Sequence, residues 1–236
     1  RRKPTPKLKL MAARVPLHIV TGKGGVGKTT VALAMAHRLA AEGVALQVFD
    51  IVLPAPAVGD EQLLSSFRRN QVVLSQVFAL DDRTHAESGV PSFPLEWAAC
   101  PPSIAIARGH IANAGVFRDI PAGHITPKVG DDGVIRLQPS LICAGGKAYP
   151  ALFIAALLQA HGQGAGGLGF ERGSGALGAH WQLTGVPLVS GGVPLDPAGN
   201  VRIPWIKKTQ GWVSLSAADV LAGRIPQGLL QNAWVV

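Results

Sequence analysis

One run of eight residues constrains this chain more than any other: Gly22-Lys23-Gly24-Gly25-Val26-Gly27-Lys28-Thr29. It follows the short apolar segment Leu17-His18-Ile19-Val20 and precedes residues 31–41, where Leu33, Ala36, Leu39 and Ala40 fall on one helical face. A strand, a glycine loop and a helix in that order are the setting that G-x-x-x-x-G-K-[ST] requires. Glycines let successive N–H groups turn inward around a phosphate. The helix N-terminus adds partial positive charge at the same point. Lys28 stands where it reaches terminal phosphates, and the Thr29 hydroxyl is a ligand for Mg²⁺. A purely structural Gly-rich turn is the competing explanation, and the complete, correctly flanked pattern argues against it. The candidate phosphate-binding residues are Gly22, Lys23, Gly24, Gly25, Val26, Gly27, Lys28, Thr29 and Thr30, with ATP and Mg²⁺ as the implied cofactors.

Gly43 is a natural helix stop. Residues 44–50, continuing through Ile51-Val52-Leu53, form a second buried strand, and the short connections predict a parallel, right-handed βαβ unit. Residues 59–69 read as a helix, with Asp60 and Glu61 near its start and Arg68 and Arg69 near its end, a charge order that suits the macrodipole. Residues 72–80 form another buried strand. The expected fold is therefore a three-layer α/β domain: a mainly parallel sheet, helices on both faces, and β-rich insertions. The strands near 17–20, 44–51 and 72–80 are expected to be adjacent.

Beyond these, the pattern thins. Residues 81–102 are polar and Pro-rich, and residues 161–178 are Gly-rich; both are expected to be mobile surface loops. Asp131-Asp132-Gly133 marks a hairpin between Ile125-Thr126-Pro127 and Val134-Ile135-Arg136-Leu137. Pro150 opens a helix at 151–159. Two β-like stretches, 181–189 and 201–205, flank the turn Pro197-Ala198-Gly199-Asn200. Ser216 caps a short helix that Gly223 ends, and Trp234-Val235-Val236 is a further apolar strand.

Charge is placed unevenly. The net charge is +8, yet the first 28 residues hold eight cations and no acid, while the rest is balanced at fourteen of each. The basicity thus belongs to the N-terminal segment, so a nucleic-acid-binding body is not expected. Residues 1–14 read as a basic disordered tail, and residues 15–236 as one α/β domain. The longest apolar candidate, residues 148–160, is broken by Pro150 and too short to span a bilayer. Cys100 and Cys143 admit two readings. In an oxidising compartment they pair, worth about 4 kcal/mol by loop entropy; otherwise they are two buried thiols.

Other chemistry is sparse. His18, His37, His85, His110, His124, His161 and His180 show no metal-ligand spacing. His124, in Gly-His-Ile-Thr-Pro, suits a hydrogen-bonding structural role better than catalysis. Ser214 and Ser216 lack a nucleophile-elbow context. Asp131 and Asp132 are turn residues. The tryptophans pack, with Trp97 a candidate for lining a ligand pocket.

Residues 15–43 resemble the deviant P-loop ATPases of the ParA and ArsA type, whose hallmark is the KGGVGKTT run. The resemblance implies a homodimer in which Lys23 reaches the partner's nucleotide. It also implies a switch aspartate that positions the attacking water, a role for which Asp50 is the candidate. The family's second aspartate, in a D-x-P-x-G setting after a later strand, has no counterpart downstream. Binding of ATP with slow or no hydrolysis is the expectation, so whether the chain is an enzyme stays open.

Residues 45–236 resemble a different family, the second CHASE class of bacterial extracytoplasmic sensor domains. The likeness rests on Val48-Phe49-Asp50-Ile51-Val52-Leu53-Pro54-Ala55-Pro56, Ala122-Gly123-His124-Ile125-Thr126-Pro127, Asp131-Asp132-Gly133-Val134-Ile135-Arg136, Ala148-Tyr149-Pro150-Ala151-Leu152, Val193-Pro194-Leu195-Asp196 and residues 214–223. It implies a signal-input module for a small ligand, on the outer side of a bacterial inner membrane. Transmembrane helices and a cytoplasmic effector would accompany it, and residues 44–236 would be a sensor body cut short at its last strand. The phosphate-loop resemblance implies the cytoplasm instead.

Overall fold

Alternation in the central strands assigns the layers. Leu46, Val48 and Val73 pack with Ala155 and Ala156 in one cluster, while Val72 and Leu74 pack with Ala36, Leu63, Leu64 and Phe67 in another. Successive strand residues point to opposite faces, so each face is covered by a different helix set. That is the three-layer α/β arrangement read from the sequence.

The computed structural model describes residues 17–21, 28–81, 86–175, 178–204 and 212–236. In chain order the first elements are β1 (Leu17–Thr21), α1 (Lys28–Ala41), β2 (Leu46–Phe49), α2 (Asp60–Arg68) and β3 (Val72–Ala79). Short strands follow: β4 (Glu87–Ser88), β5 (Ala105–Ile106), β6 (Gly109–Ile111), β7 (Ala122–His124), β8 (Lys128–Val129), β9 (Ile135–Pro139), β10 (Leu141–Ala144) and β11 (Lys147–Pro150). Then come α3 (Leu152–Ala160), β12 (Gly169–Gly175), β13 (Gly178–Thr184), β14 (Val193–Leu195), β15 (Asn200–Arg202), β16 (Trp212–Ser216), α4 (Ala217–Leu221) and β17 (Trp234–Val235).

The main sheet runs β16-β1-β17-β2-β3, all parallel. Here the expectation of adjacent early strands needs correction. β2 and β3 are neighbours, but β17 lies between β1 and β2, and β16 holds the other edge of β1. Local patterning identifies a strand without naming its partner, and the partners of β1 lie far along the chain.

α1 and α2 cover one face and α3 the other. α1 ends as the sequence predicts. Gly43 takes φ +73, the Gly43 N–H donates to the Ala40 carbonyl at 3.1 Å, and the Val44 N–H donates to the Leu39 carbonyl at 3.2 Å. This six-to-one closure satisfies carbonyls the helix leaves open.

Three small sheets form the β-rich remainder, ordered β11-β10-β5, β12-β13-β14 and β15-β9-β8. They enclose a second core that includes Leu95, Ile104, Leu141, Ile154, Leu158 and Leu183. Cys100 and Cys143 are joined as a disulfide within it.

Among the described residues, both predicted mobile loops make specific main-chain hydrogen bonds. In residues 86–102, the Ser92 N–H donates to Gln76 Oε1 at 3.1 Å, Gln76 Nε2 donates back to the Ser92 carbonyl at 3.2 Å, and the Leu95 N–H donates to the Ala148 carbonyl at 2.8 Å. In residues 161–178, β12 has begun and pairs antiparallel with β13. Single buried polar pairs and a Gly-rich hairpin order these segments without apolar periodicity. The predicted hairpin at Asp131-Asp132-Gly133 is present, with strands β8 and β9. Among the described residues, no helix is long and apolar enough to cross a membrane.

Candidate functional site: the C-terminal edge of the parallel sheet

Because β1, β16, β17, β2 and β3 are parallel, the residues that follow them share one edge of the sheet. Open α/β sheets bind ligands on that edge. β1 ends at Thr21 and α1 begins at Lys28. The phosphate-loop residues Gly22, Lys23, Gly24, Gly25, Val26 and Gly27 fall between them and lie outside the described residues, as do the side chains of Lys28, Thr29 and Thr30. What is described is the frame: a strand that enters, a helix that leaves, and the edge on which they meet.

That frame is firmly held. Met35 and Leu39 of α1 pack with Val220, Leu230 and Val235, and Ala36 packs toward α2. Arg38 pairs with Glu42 at 2.6 Å. The first turn of α1 carries no acidic side chain, whereas the first turn of α2 carries Asp60 and Glu61. The positive end of the α1 dipole is thus left for an external anion. Thr21 pairs with Ser216 across β1 and β16, so β1 ends beside the start of α4.

Asp50 follows β2 directly and is exposed. It lies on the edge at which β1 also ends, but β17 intervenes, which separates the strand axes by about 10 Å at normal spacing. The segment after Asp50 is held from below. Leu53 N–H donates to Asn113 Oδ1 at 2.9 Å, and Ala114 N–H donates to the Leu53 carbonyl at 2.7 Å. Beyond it, Val58 is 99% exposed on the same edge.

His124 stands apart from this edge chemistry. It is fully buried, its ring lies 6.2 Å from that of Phe78, and its Nε2 has no partner among the described residues. Its Nδ1 is 3.5 Å from Gln138 Nε2. Burial lowers its pKa to about 3, so it is neutral. It is buried, but the hydrogen-bonding role expected for it is reduced to the one 3.5 Å contact with Gln138. Trp97 Nε1 donates to the Leu168 carbonyl at 3.0 Å and packs against Phe170, as part of the second core. No group of three or more His, Cys, Asp or Glu among the described residues is placed to hold a metal.

Sequence reading missed Thr126. Its Oγ1 accepts from the Phe78 N–H at 2.8 Å and donates to the Phe78 carbonyl at 3.0 Å. A threonine next to a proline offered no signal of this bridging role.

One family model matches the chain: the CobQ/CobB/MinD/ParA nucleotide binding domain, over residues 17–161. The match runs far past residue 43, where the phosphate-loop likeness was expected to stop, and reaches the end of α3. No curated protein and no solved structure matches the chain. The CHASE-type likeness of residues 45–236 has no support from these comparisons.

Proposed function

The chain belongs to the CobQ/CobB/MinD/ParA nucleotide-binding domain family, and from that premise we propose that it binds ATP·Mg²⁺ at the loop between β1 and α1. The observation that carries the reading is positional. The complete motif Gly22–Thr29 follows a strand that ends at Thr21, on the C-terminal edge of a parallel sheet, and its Lys28 and Thr29 open the helix α1. In this reading the N–H groups of the glycine loop and the α1 dipole hold the phosphates. Lys28 supplies their main countercharge, and Thr29 is the protein ligand for Mg²⁺. Lys23 reaches a partner's nucleotide in a homodimer, and the cytoplasm is the compartment that supplies ATP.

Turnover is slow. Hydrolysis needs an oriented water and stabilised charge on the transferring phosphoryl group. The acid nearest in kind, Asp50, sits two strands from β1. Calorimetry with ATP·Mg²⁺ tests binding: wild type gives saturable heat, and Lys28→Ala gives none while its thermal melt is unchanged. Absence of heat for wild type removes the proposal. Asp50→Asn should keep the affinity, and a fall in residual turnover would show that Asp50 reaches the attacking water from two strands away. Turnover at ordinary ATPase rates would show a catalytic carboxylate other than Asp50.

A second reading has one observation in its favour. The Cys100–Cys143 disulfide suits an oxidising compartment, as a ligand-sensing module outside a bacterial inner membrane would have. Free thiols in protein purified from its native host under alkylating conditions would remove that support.

A further inference from the structure

Residues 92–100 form a strap, without helix or strand, that runs from the main sheet to the second core. Buried polar groups fix its first end. The Ser92 N–H donates to Gln76 Oε1 at 3.1 Å, the Ser92 carbonyl accepts from Gln76 Nε2 at 3.2 Å, and Ser92 Oγ donates to the Ile120 carbonyl at 3.0 Å. A covalent bond fixes the far end, from Cys100 to Cys143 of β10. Between the ends, the Leu95 N–H donates to the Ala148 carbonyl at 2.8 Å and Trp97 Nε1 to the Leu168 carbonyl at 3.0 Å.

Phe93, beside the Ser92 anchor, takes φ +64. A bulky side chain holds that conformation only where its surroundings impose it. Phe93 packs against the second core and also against the cluster of Leu46, Val48 and Val73 on the main sheet. The peptide between Ser92 and Phe93 carries the carbonyl that Gln76 holds, so relaxation of Phe93 to negative φ turns that carbonyl from its donor. Gln76 adjoins Ser75, whose carbonyl accepts from Asn113 Nδ2 at 2.9 Å, and the Asn113 carbonyl accepts from the Val90 N–H at 2.8 Å. Through Oδ1 the same asparagine holds the Leu53 N–H. The fixed end of the strap thus adjoins the contacts that place the segment after Asp50.

The cysteine end is the one that chemistry can release. Cys100 is half-buried in a turn whose Ala98, Ala99 and Pro102 are exposed, so a small thiol has an approach from solvent. A compartment that supplies ATP also keeps thiols reduced, and a disulfide there is usually transient, catalytic or redox-sensing. We propose that Cys100–Cys143 is a redox latch on the nucleotide edge: closed, it pins the strap and orders the segment after Asp50, and opened by a dithiol it frees the strap and weakens ATP·Mg²⁺ binding. The proposal rests on the ATP reading above. In the opening step a thiolate of the dithiol attacks Cys100 Sγ, and Cys143 leaves as a thiolate that takes up a proton. The second thiol then displaces Cys100, leaving two cysteine thiols and the cyclic disulfide of the reductant, and the same exchange run backwards closes the latch.

Two readouts on the full chain, oxidised and after dithiothreitol, test this. In amide NMR spectra, reduction should shift Ser92 and Leu95, and also Leu53, Ala114 and the Asn113 side-chain amide, while Gly43 and Val44 at the end of α1 stay in place. By calorimetry, reduction should weaken ATP·Mg²⁺ binding at least about fivefold. The double variant Cys100→Ser, Cys143→Ser should match reduced wild type in both readouts and ignore the reductant. Shifts confined to the strap, with Leu53 and Ala114 unmoved, overturn the proposal, as does equal ATP·Mg²⁺ affinity in the two forms. Loss of shift dispersion throughout the reduced chain also overturns it, because the bond is then a staple for the whole fold. Absence of heat in both forms, with Leu53 and Ala114 shifted, removes the nucleotide reading and supports a latch on the Asp50 segment.

Discussion

The Asn113 side chain accepts from the Leu53 N–H at 2.9 Å and donates through Nδ2 to the Ser75 carbonyl at 2.9 Å. One buried amide thus ties the segment after β2, which begins with Asp50, to the middle of β3. Asn113→Ala strands two buried main-chain groups and should cost about 2–4 kcal/mol. Chemical denaturation measures the loss. Asn113→Asp keeps the acceptor for Leu53 but sets a buried carboxylate oxygen against the Ser75 carbonyl, so at neutral pH its loss should equal or exceed that of the alanine variant.

The disulfide makes a prediction from loop length alone. Cys100 and Cys143 are 43 residues apart, and closing a loop of that size in the unfolded chain is worth about 4 kcal/mol in the chain-entropy model. Reductant should lower the denaturation midpoint of wild type. It should have no effect on the Cys100→Ala, Cys143→Ala double variant. An equal response of both proteins would mean that the pair contributes nothing to stability.

His124 sets an acid limb. Its pKa falls from 6.5 to about 3 on folding, so the unfolded chain takes the proton first. Its effect is absent above pH 6.5. From there to about pH 3 it removes about 1.4 kcal/mol of stability per pH unit. Comparing wild type with His124→Gln over that range isolates the term, because carboxylates elsewhere act on both. Parallel curves would refute the buried neutral imidazole.

Gly123, the residue before it, has no room for a side chain. A Cβ there meets the main chain of Ala151 and Leu152 at the start of α3. Gly123→Ala should push β7 and α3 apart and cost about 1–3 kcal/mol, read as a lowered melting temperature. Gly133, where a Cβ meets nothing within 4 Å, is the control: its alanine variant carries only the strain of a positive φ.

Much of the first half of the fold was legible because its signals are local. Leu17-His18-Ile19-Val20, the helix stop at Gly43 and the charge order along α2 each depend on residues a few positions apart, and each appears where the pattern placed it. The phosphate-loop frame was legible for the same reason. The remainder depends on partners remote in sequence. Gln76 and Ser92 order a segment that has no periodicity, Thr126 replaces a strand by a hydroxyl, and the neighbours of β1 lie about two hundred residues away. The resemblance of residues 45–236 to a sensor domain drew on short turn and strand motifs of moderate specificity. Such motifs recur wherever small strands meet tight turns.

The position of β17 bears on how the molecule comes to exist. β1 leads into the phosphate loop, yet it pairs with Trp212–Ser216 on one side and Trp234–Val235 on the other. On the ribosome, α2 and β3 can dock on β2 while β1 is still without a neighbour. The nucleotide edge is the last part of the sheet to close, after synthesis has reached residue 235. Pairings of such long separation are slow to form and leave an open strand edge meanwhile. A nucleotide arriving during synthesis would meet the motif in the exit order of the chain, but it would not meet the sheet that frames it.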